Sequence, residues 1–342
     1  MQNIVVNQWN VSKLNSPQFG TAKYESVLSK KISKNPDLNL RQIRRYDTRI
    51  RGSMPLSWLF RYDSHGADIV HATFQTVAPA GIIHRPKNFV VTVHDLAPIV
   101  YKNESRRNIS LRLQWRLVPP SLTFADKIIA ISKFTKQEIS RLTDIPKSKI
   151  SVIYQGINHD LYQPQSTSTA RKRLGLKKDE KYILIVSSSL EHKRIDNAKP
   201  VLEYVREQFP NTKLLKVGYG ESLSGEHIIN AGWVPEKEMP LFYNAADVFL
   251  HLSEYEGFGL PVLEAMACGT PIVAREVASI PEIVGKSFKL LEFDANHQRI
   301  ADAVSAKICL ETSDQRAIAH SKQFSWGKTA RETVDIYEKL LE

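Results

Sequence analysis

The chain has 342 residues, 42% of them hydrophobic, which is enough to build two packed domains. Its only cysteines, Cys268 and Cys309, provide no disulfide framework and favour a reducing, cytoplasmic location. No run approaches 18 apolar residues, which argues against a membrane-spanning helix, and the first residues predict a strand rather than a signal peptide.

The net charge of +11 is distributed unevenly along the chain. Residues 1–163 carry 24 Lys and Arg against 11 Asp and Glu, a net +13, whereas residues 164–342 carry 23 against 25, a net −2. A basic half can meet nucleic acid, an anionic membrane or a phosphorylated substrate, or can be a solvated charged face. The arginines concerned are Arg41, Arg44, Arg45, Arg49, Arg51, Arg112 and Arg116.

Strands and helices are predicted to alternate through the first half of the chain. The predicted strands are residues 3–8, 39–46, 67–72, 88–93, 127–131 and 149–153. The predicted helices are residues 21–33, 110–122 and 133–142, the last capped by Ser132. Residues 97–108, with Tyr101, Arg106 and Arg107, form a loop that is a candidate acceptor contact.

The second half repeats this alternation after a predicted linker at residues 163–169. The predicted strands are residues 182–187, 212–217, 228–234, 247–252 and 272–274. The predicted helices are residues 198–209, 238–244, 261–268, 296–311 and 326–341. The pattern predicts two doubly wound Rossmann-like α/β domains facing across a cleft, residues 1–163 and 164–325, followed by a final helix at 326–342.

The most informative stretch is residues 253–274, a strand–turn–helix unit rich in glycine. Gly257 and Gly259 permit a sharp turn, Pro261 suits the first position of a helix, and Gly269 suits its end. The amides of residues 257–260 then lie at a helix N-terminus without intrahelical partners. Such a terminus attracts anions, and phosphate in particular.

Two carboxylates flank this predicted anion site. Glu256 precedes it, and Glu264 lies about one turn inside the helix. They are placed to accept hydrogen bonds from hydroxyls on either side of a phosphate, as a sugar and a ribose would offer. The alternative is an ordinary strand–turn–helix unit with two surface glutamates.

The spacing of Glu256 and Glu264, with Gly-Phe-Gly-Leu-Pro after the first, resembles the signature of retaining glycosyltransferases of family 4. The resemblance implies a GT-B fold whose last helix crosses back to the first domain. It also implies transfer of a sugar from a nucleotide-diphosphate sugar, linked to UDP or GDP, to a hydroxyl acceptor. Glu256 would then hold hydroxyls of the donor sugar, and Glu264 those of the ribose.

The resemblance and the strand ends together suggest further donor contacts. His94 follows the fourth strand and would contact the donor sugar, although a structural histidine at a strand end is the alternative. Lys193 and Arg194 follow a strand end, where they could neutralise the diphosphate, and exposed basic residues are the alternative. Serines at 187–189 fill the position where the family carries an early arginine, so these two residues would have to supply both charges. The remaining predicted donor contacts are Gly20, Gly257, Phe258, Gly259, Leu260 and Val234.

The sequence predicts a metal-independent enzyme, because it lacks Cys-x-x-Cys, His-Glu-x-x-His and Asp-x-Asp patterns. The expected acceptor is a glycan or a lipid-linked saccharide, reached from the inner face of an anionic membrane. A sugar-nucleotide epimerase on the same fold is the first alternative. A basic nucleic-acid-binding protein is the second, but the interleaved exposed aromatics of such a surface are absent, so no nucleic acid is expected.

Overall fold

Two parallel β-sheets organise the chain, one in each of the two units into which its internal contacts divide it. The computed structural model describes residues 4–12, 20–44, 57–101, 109–286, 288–310 and 313–342. The first unit is Met1–Gly156 together with Ser325–Glu342, and the second unit is Ile157–Phe324. The predicted fold class, with two doubly wound α/β domains, is confirmed.

The first unit contains six parallel strands in the order β2-β1-β3-β4-β5-β6. The strands are β1 (Ile4–Asn10), β2 (Leu38–Arg44), β3 (Ile69–Ala72), β4 (Phe89–Val93), β5 (Lys127–Ala130) and β6 (Ile150–Val152). The helices are α1 (Gly20–Ile32), α2 (Pro79–His84), α3 (Ala97–Val100), α4 (Ile109–Leu122) and α5 (Lys133–Leu142). The strand order reverses between β1 and β3, which is where open α/β sheets bind ligands beyond the carboxyl ends of their strands.

Core residues cover both faces of this sheet, and its central strands β3 and β4 are buried at every position. Ile69 and Val70 are neighbours on β3, yet they belong to different core clusters because successive side chains point to opposite faces. Tyr24 of α1 lies in the cluster with Ile69, and Trp115 of α4 lies in the cluster with Val70. The sheet therefore serves as a rigid base for the loops at its carboxyl edge.

The last helix of the chain, α13 (Trp326–Leu341), belongs to the first unit. Trp326 and Tyr337 lie in the core cluster of Tyr24, and the Tyr337 hydroxyl lies 2.6 Å from Nδ1 of His71. Gly156 passes so close to this helix that an added Cβ would lie 2.0 Å from the Trp326 backbone nitrogen. Only glycine permits that approach.

The second unit contains five parallel strands in the order β11-β10-β7-β8-β9, with the reversal between β10 and β7. The strands are β7 (Lys181–Val186), β8 (Thr212–Val217), β9 (Ile228–Gly232), β10 (Val248–His251) and β11 (Ile272–Ala274). The helices are α6 (Thr167–Leu174), α7 (Ala198–Gln208), α8 (Met239–Ala245), α9 (Leu260–Cys268), α10 (Ile280–Val284), α11 (His297–Ile308) and α12 (Gln315–Ser321).

The division between the units lies earlier than the predicted linker. The Ile157 amide donates to the Phe324 carbonyl, and the Gln165 amide donates to the Asn244 side chain, so residues from 157 onward pair with the second unit. The predicted linker also contains the start of a helix, because Ser166 caps α6 by accepting from the Thr169 amide.

Several local predictions differ from the structure. The first strand continues through Trp9 and Asn10, because Trp9 is buried and pairs with both neighbouring strands. The short helices α2, α3 and α12 were not predicted from the sequence, since each is too short to show a helical period. Predicted contact residues Arg45, Arg49, Arg51, Arg106 and Arg107 lie outside the described residues.

Within the ranges that the structure describes, every helix is too short or too polar to cross a bilayer.

Candidate active site

A glycine turn leads from β10 into α9 and forms the centre of the candidate site. Gly259 has φ +99°, a left-handed conformation that side chains rarely adopt, and an added Cβ would lie 2.8 Å from Cδ1 of Ile280. The helix begins at Leu260, so Pro261 is its second residue rather than the first. Gly269 has φ +74° and ends the helix, as predicted.

The Ser279 hydroxyl stabilises the turn through two backbone carbonyls. Ser279 Oγ donates towards the carbonyls of Glu256 and Phe258, at 3.0 and 2.8 Å. The first intrahelical bond runs from the Val262 amide to the Gly259 carbonyl at 3.0 Å. The amides of Gly259 and Leu260 therefore precede the helical ladder, where the partial positive charge of a helix end is greatest.

Glu256 lies beside this helix end and is already engaged by a cation. Lys193 Nζ donates to Glu256 Oε1 at 2.7 Å, and His251 Nε2 lies 3.3 Å from the same oxygen. Burial alone would raise the pKa of Glu256, but Lys193, His251 and the Ser253 hydroxyl more than offset burial and lower the pKa to about 2. The sequence analysis predicted Glu256 and Lys193 but missed His251, because a histidine within a buried strand gives no motif.

The second predicted cation is paired with a different carboxylate. Arg194 Nε lies 2.8 Å from Glu254 Oε1, and this hydrogen bond raises the pKa of Arg194. Arg194 adopts φ +49°, and the Glu254 amide donates to the His192 carbonyl, so this loop is tied to the segment after β10. Buried Arg275 contributes a further positive charge near Glu254, and the sequence analysis did not identify it.

Glu264 lies one turn inside α9 and is 7% exposed. Its Oε2 accepts a hydrogen bond from the Tyr243 hydroxyl at 2.9 Å, and Tyr162 also bonds to it. Burial and the charge of Glu264 raise the pKa of both tyrosines. A ribose would join a carboxylate that already accepts two hydroxyls, which leaves part of its four-lone-pair capacity for the ligand.

The serines that replace the early arginine pack against a glycine turn. An added Cβ on Gly218 would lie 2.2 Å from the Ser187 carbonyl oxygen, and one on Gly220 would lie 2.2 Å from Ser189 Oγ. Lys216 is buried beneath this turn, and its Nζ donates to the Glu221 carbonyl at 3.0 Å. Burial lowers the pKa of Lys216.

Val234, the predicted contact for the nucleotide base, follows β9 and is partly buried. The preceding residue, Trp233, stacks on Tyr219 with ring centroids 6.5 Å apart, and both rings are exposed. Phe258 is 3% exposed and packs against Phe324, so its side chain is part of the core rather than the surface.

His94 lies at the carboxyl end of β4 in the first unit, with both ring nitrogens bonded. Nε2 lies 3.0 Å from the Thr73 carbonyl, which only accepts, so Nε2 carries the proton. Gln155 Nε2 lies 3.3 Å from Nδ1 and donates to it. Burial lowers the pKa of His94 to about 4, so the ring is neutral at pH 7. A sugar would have to displace one of these bonds or contact the ring edge.

Gly20 is the first residue of α1 and has φ +53°. The two residues before it, Gln18 and Phe19, lie outside the described residues. Glu25 belongs to α1, and its carboxylate reaches the residues that follow β1. There it accepts hydrogen bonds from the amides of Val11 and Ser12 at 2.7 and 3.0 Å. The sequence analysis did not identify Glu25, because a glutamate inside a helix gives no sign of the loop it faces.

No group of three or more His, Cys, Asp or Glu side chains is placed to hold a metal ion in the described part of the chain.

Two protein-family models match the chain, each on one half. "Glycosyltransferase Family 4" matches residues 23–161, and "Glycosyl transferases group 1" matches residues 166–324. The chain is 29% identical to O-antigen chain mannosyltransferase B of Escherichia coli over 280 residues, which are 75% of this chain and 72% of that protein.

Solved structures match over nearly the whole length. Sucrose-phosphate synthase from Thermosynechococcus elongatus has a TM-score of 0.77 at 20% identity and covers 99% of both chains. HepE from Anabaena, in complex with UDP and glucose, has a TM-score of 0.75 at 17% identity and covers 98% of this chain and 100% of its own. At such identity these structures establish the fold alone. With the family models matching both halves, the chain belongs to the glycosyltransferases of family 4 and has their GT-B fold.

Proposed function

We propose that the protein transfers a hexose from a nucleotide-diphosphate sugar to a hydroxyl of a glycan or a lipid-linked saccharide, with retention of configuration and without a metal. The observation that carries the proposal is the partly buried Glu256–Lys193 pair beside the N-terminus of α9. The second unit thus brings together a carboxylate that can accept from hydroxyls and two groups that can bind phosphate. These two groups are the Lys193 ammonium and the N-terminus of α9.

The main catalytic contribution would be stabilisation of the leaving diphosphate. The charge that develops on its oxygens would meet the amides of Gly259 and Leu260 and the ammonium group of Lys193. Removal of one such donor typically costs about 3–4 kcal/mol of barrier stabilisation. Arg194 would contribute indirectly, because its contact with Glu254 holds the loop that carries Lys193.

The hydroxyl contacts would fix the donor on either side of that charge. Glu256 would accept from the sugar hydroxyls, and Glu264 from the ribose hydroxyls. The leaving phosphate would take the acceptor proton on the same face of the sugar, so no protein nucleophile is assigned. His94, neutral and held by Gln155 and Thr73, would orient the sugar rather than exchange protons with it.

The donor and acceptor classes are supported by the relatives. One relative is described as an O-antigen chain mannosyltransferase, and HepE, a structure similar to this chain, was solved with UDP and glucose. We therefore propose a hexose linked to UDP or GDP as the donor and a growing saccharide as the acceptor.

We also propose that the first unit meets an anionic membrane from its cytoplasmic side. The helix α4 exposes Leu111, Arg112, Leu113 and Arg116 on its surface. Basic residues near an anionic surface contribute about 1 kcal/mol each, and the leucines add apolar contact. Sedimentation with anionic vesicles at low salt, lost in Arg112→Gln/Arg116→Gln, tests this; no sedimentation of the unaltered protein contradicts it.

The experiment that tests the function is thermal stability against UDP, GDP and their hexose conjugates. A ligand that binds only the folded protein raises its melting temperature. We expect one nucleotide to raise it and Glu264→Ala to abolish that shift. Transfer of labelled hexose, with the anomeric configuration read by NMR and with EDTA present, then tests retention and metal independence. Conversion of the donor without any acceptor would favour an epimerase instead.

A further inference from the structure

His251 is a buried histidine at the end of β10, and one of its ring nitrogens lacks a hydrogen bond. The residue is 4% exposed, and Nε2 has no hydrogen-bond partner within the described residues. This nitrogen lies 3.3 Å from Glu256 Oε1 without forming a hydrogen bond to it. A buried polar nitrogen left without a partner is costly, so its position beside a carboxylate calls for an explanation.

The carboxylate oxygen next to His251 is occupied by Lys193. The Lys193 Nζ to Glu256 Oε1 distance is 2.7 Å, and the two side chains are 19% and 11% exposed. Lysine is a point charge on a flexible four-carbon stem, so it can turn to a new anion without movement of the backbone.

Donor binding would make two anions compete for Lys193. The diphosphate would arrive at the start of α9, directly after Glu256 in the chain, and it carries more negative charge than one carboxylate. If Lys193 turned to the diphosphate, Glu256 would be left as a nearly buried carboxylate without its cation. Loss of one partner from a buried ion pair is strongly destabilising.

We propose that His251 is a positioning residue that donates a hydrogen bond from Nε2 to Glu256 Oε1 when Lys193 turns to the donor's diphosphate. This inference rests on the proposed function. The required movement is small, because His251 Nε2 and Glu256 Oε1 are already 3.3 Å apart. The exchange keeps Glu256 oriented towards the sugar while Lys193 serves the phosphate.

A neutral donor suits this exchange better than a second cation. While Lys193 lies beside Glu256, burial lowers the pKa of His251 to about 4, so the ring carries no charge at pH 7 in this arrangement. A neutral imidazole stabilises the carboxylate by a hydrogen bond without pairing with it so strongly that the sugar hydroxyls are excluded. It also adds no charge that would compete with Lys193 for the diphosphate.

The test measures the affinity of UDP and GDP by calorimetry for the full chain and its variants. His251→Met removes the donor and retains most of the volume, whereas His251→Gln retains an N–H of similar reach. We expect the nucleotide that binds the unaltered protein to bind about tenfold more weakly to His251→Met and within about threefold to His251→Gln. If His251→Met does not fold, His251→Asn, whose amide is too short to reach Glu256, replaces it.

A double-mutant cycle separates the exchange from simple packing. In a Glu256→Gln background no buried charge needs the second donor, so His251→Met should leave nucleotide affinity unchanged. An equal loss in both backgrounds would show that His251 only packs, for example against Phe249, and would overturn the exchange. Normal binding by His251→Met in the native background would also overturn it. If the unaltered protein binds neither nucleotide, the proposed function itself fails, and the exchange with it.

Discussion

The cations and the histidine at the carboxyl edges of the two sheets are held by different kinds of contact. At the edge of the second sheet, Lys193 pairs with Glu256 and Arg194 pairs with Glu254. At the edge of the first sheet, His94 is neutral and is held by a backbone carbonyl and the Gln155 amide. Ion pairs can be exchanged for a charged ligand, whereas neutral hydrogen bonds fix orientation. Under the proposed function, the second unit would handle the diphosphate and the first unit would orient neutral groups.

The largest expected effect comes from removing the cation of the second edge. Lys193→Met should lower kcat/KM for the donor by about 10²–10³-fold, because a preorganised charge at the leaving group is lost. Steady-state kinetics with the donor found in the thermal panel measures this. Lys199→Met, at an exposed position on α7, is the matched control. Equal activity of Lys193→Met and Lys199→Met would contradict the electrostatic role assigned to Lys193 at the carboxyl edge of the second sheet.

Acid should weaken the protein through buried histidines, His71 and His94 in the first unit and His251 in the second, before Glu256 is protonated. Burial lowers the pKa of His71 to about 3 and of His94 to about 4, from 6.5. Their contribution to stability is therefore complete above pH 6.5 and is lost as the pH falls towards 4, by at most about 1.4 kcal/mol per pH unit for each histidine. Glu256, with a pKa lowered from 4.5 to about 2, loses its contribution only below pH 4.5.

Urea unfolding followed by tryptophan fluorescence at pH 7, 6 and 5 measures how the unfolding free energy of the first unit depends on pH. Four of the five tryptophans, Trp9, Trp58, Trp115 and Trp326, belong to the first unit. His71→Gln should reduce the dependence on pH by about one proton, whereas His65→Gln, at an exposed position, should not. An unchanged dependence in His71→Gln would contradict the assignment.

Two buried tyrosines allow a direct comparison of charged and neutral hydrogen bonds. The Tyr243 hydroxyl donates to the Glu264 carboxylate, and the Tyr24 hydroxyl lies 3.1 Å from Thr92 Oγ1. Tyr243→Phe should cost about 1.5–3 kcal/mol of unfolding free energy and Tyr24→Phe about 0.5–1.5 kcal/mol. Denaturation of the two variants under the same conditions tests this. A larger loss of unfolding free energy in Tyr24→Phe than in Tyr243→Phe would contradict the prediction.

A loss of stability within the range of the two tyrosine variants is expected at the glycine turn. Gly259→Ala should destabilise the fold by about 1–2 kcal/mol because of its left-handed backbone, and should weaken nucleotide binding as the turn shifts from Ile280. Gly327→Ala is the control, since its backbone is helical and an added Cβ meets only Arg331 Nη1 at 3.6 Å. The control should be neutral or slightly stabilising, and a destabilisation equal to that of Gly259→Ala would contradict the argument.

Much of the fold was predictable because each unit repeats a local pattern. Buried parallel strands appear as apolar runs, and helix ends are marked by residues such as Ser132 and Gly269, both of which cap as predicted. Short helices were missed where the segment is too short to establish a periodic pattern, as in the seven residues of α12. Trp9 was placed in a loop because the polar residues after it hide its pairing with β2 and β3.

The candidate site was predictable only in part. Glu256, Glu264 and the glycines belong to one contiguous stretch, so their spacing along the chain is also their spacing around a turn. His251, Arg275 and Glu25 were missed, because their importance depends on partners from other elements. The sequence also left open which carboxylate each cation meets, and the structure pairs Arg194 with Glu254.

The sequence by itself determined the alternation of strands and helices, the glycine turn before α9 and the family signature, because these are short-range properties of the backbone. Only the tertiary structure decided the protonation of His94, the pairing of Lys193 with Glu256 and the position of His251 beside them. Those features depend on burial and on distances between strands that are far apart in the chain. The electrostatic free energy of a charged group depends on its distance from other charges and on its burial away from water. Neither quantity can be derived from the local sequence.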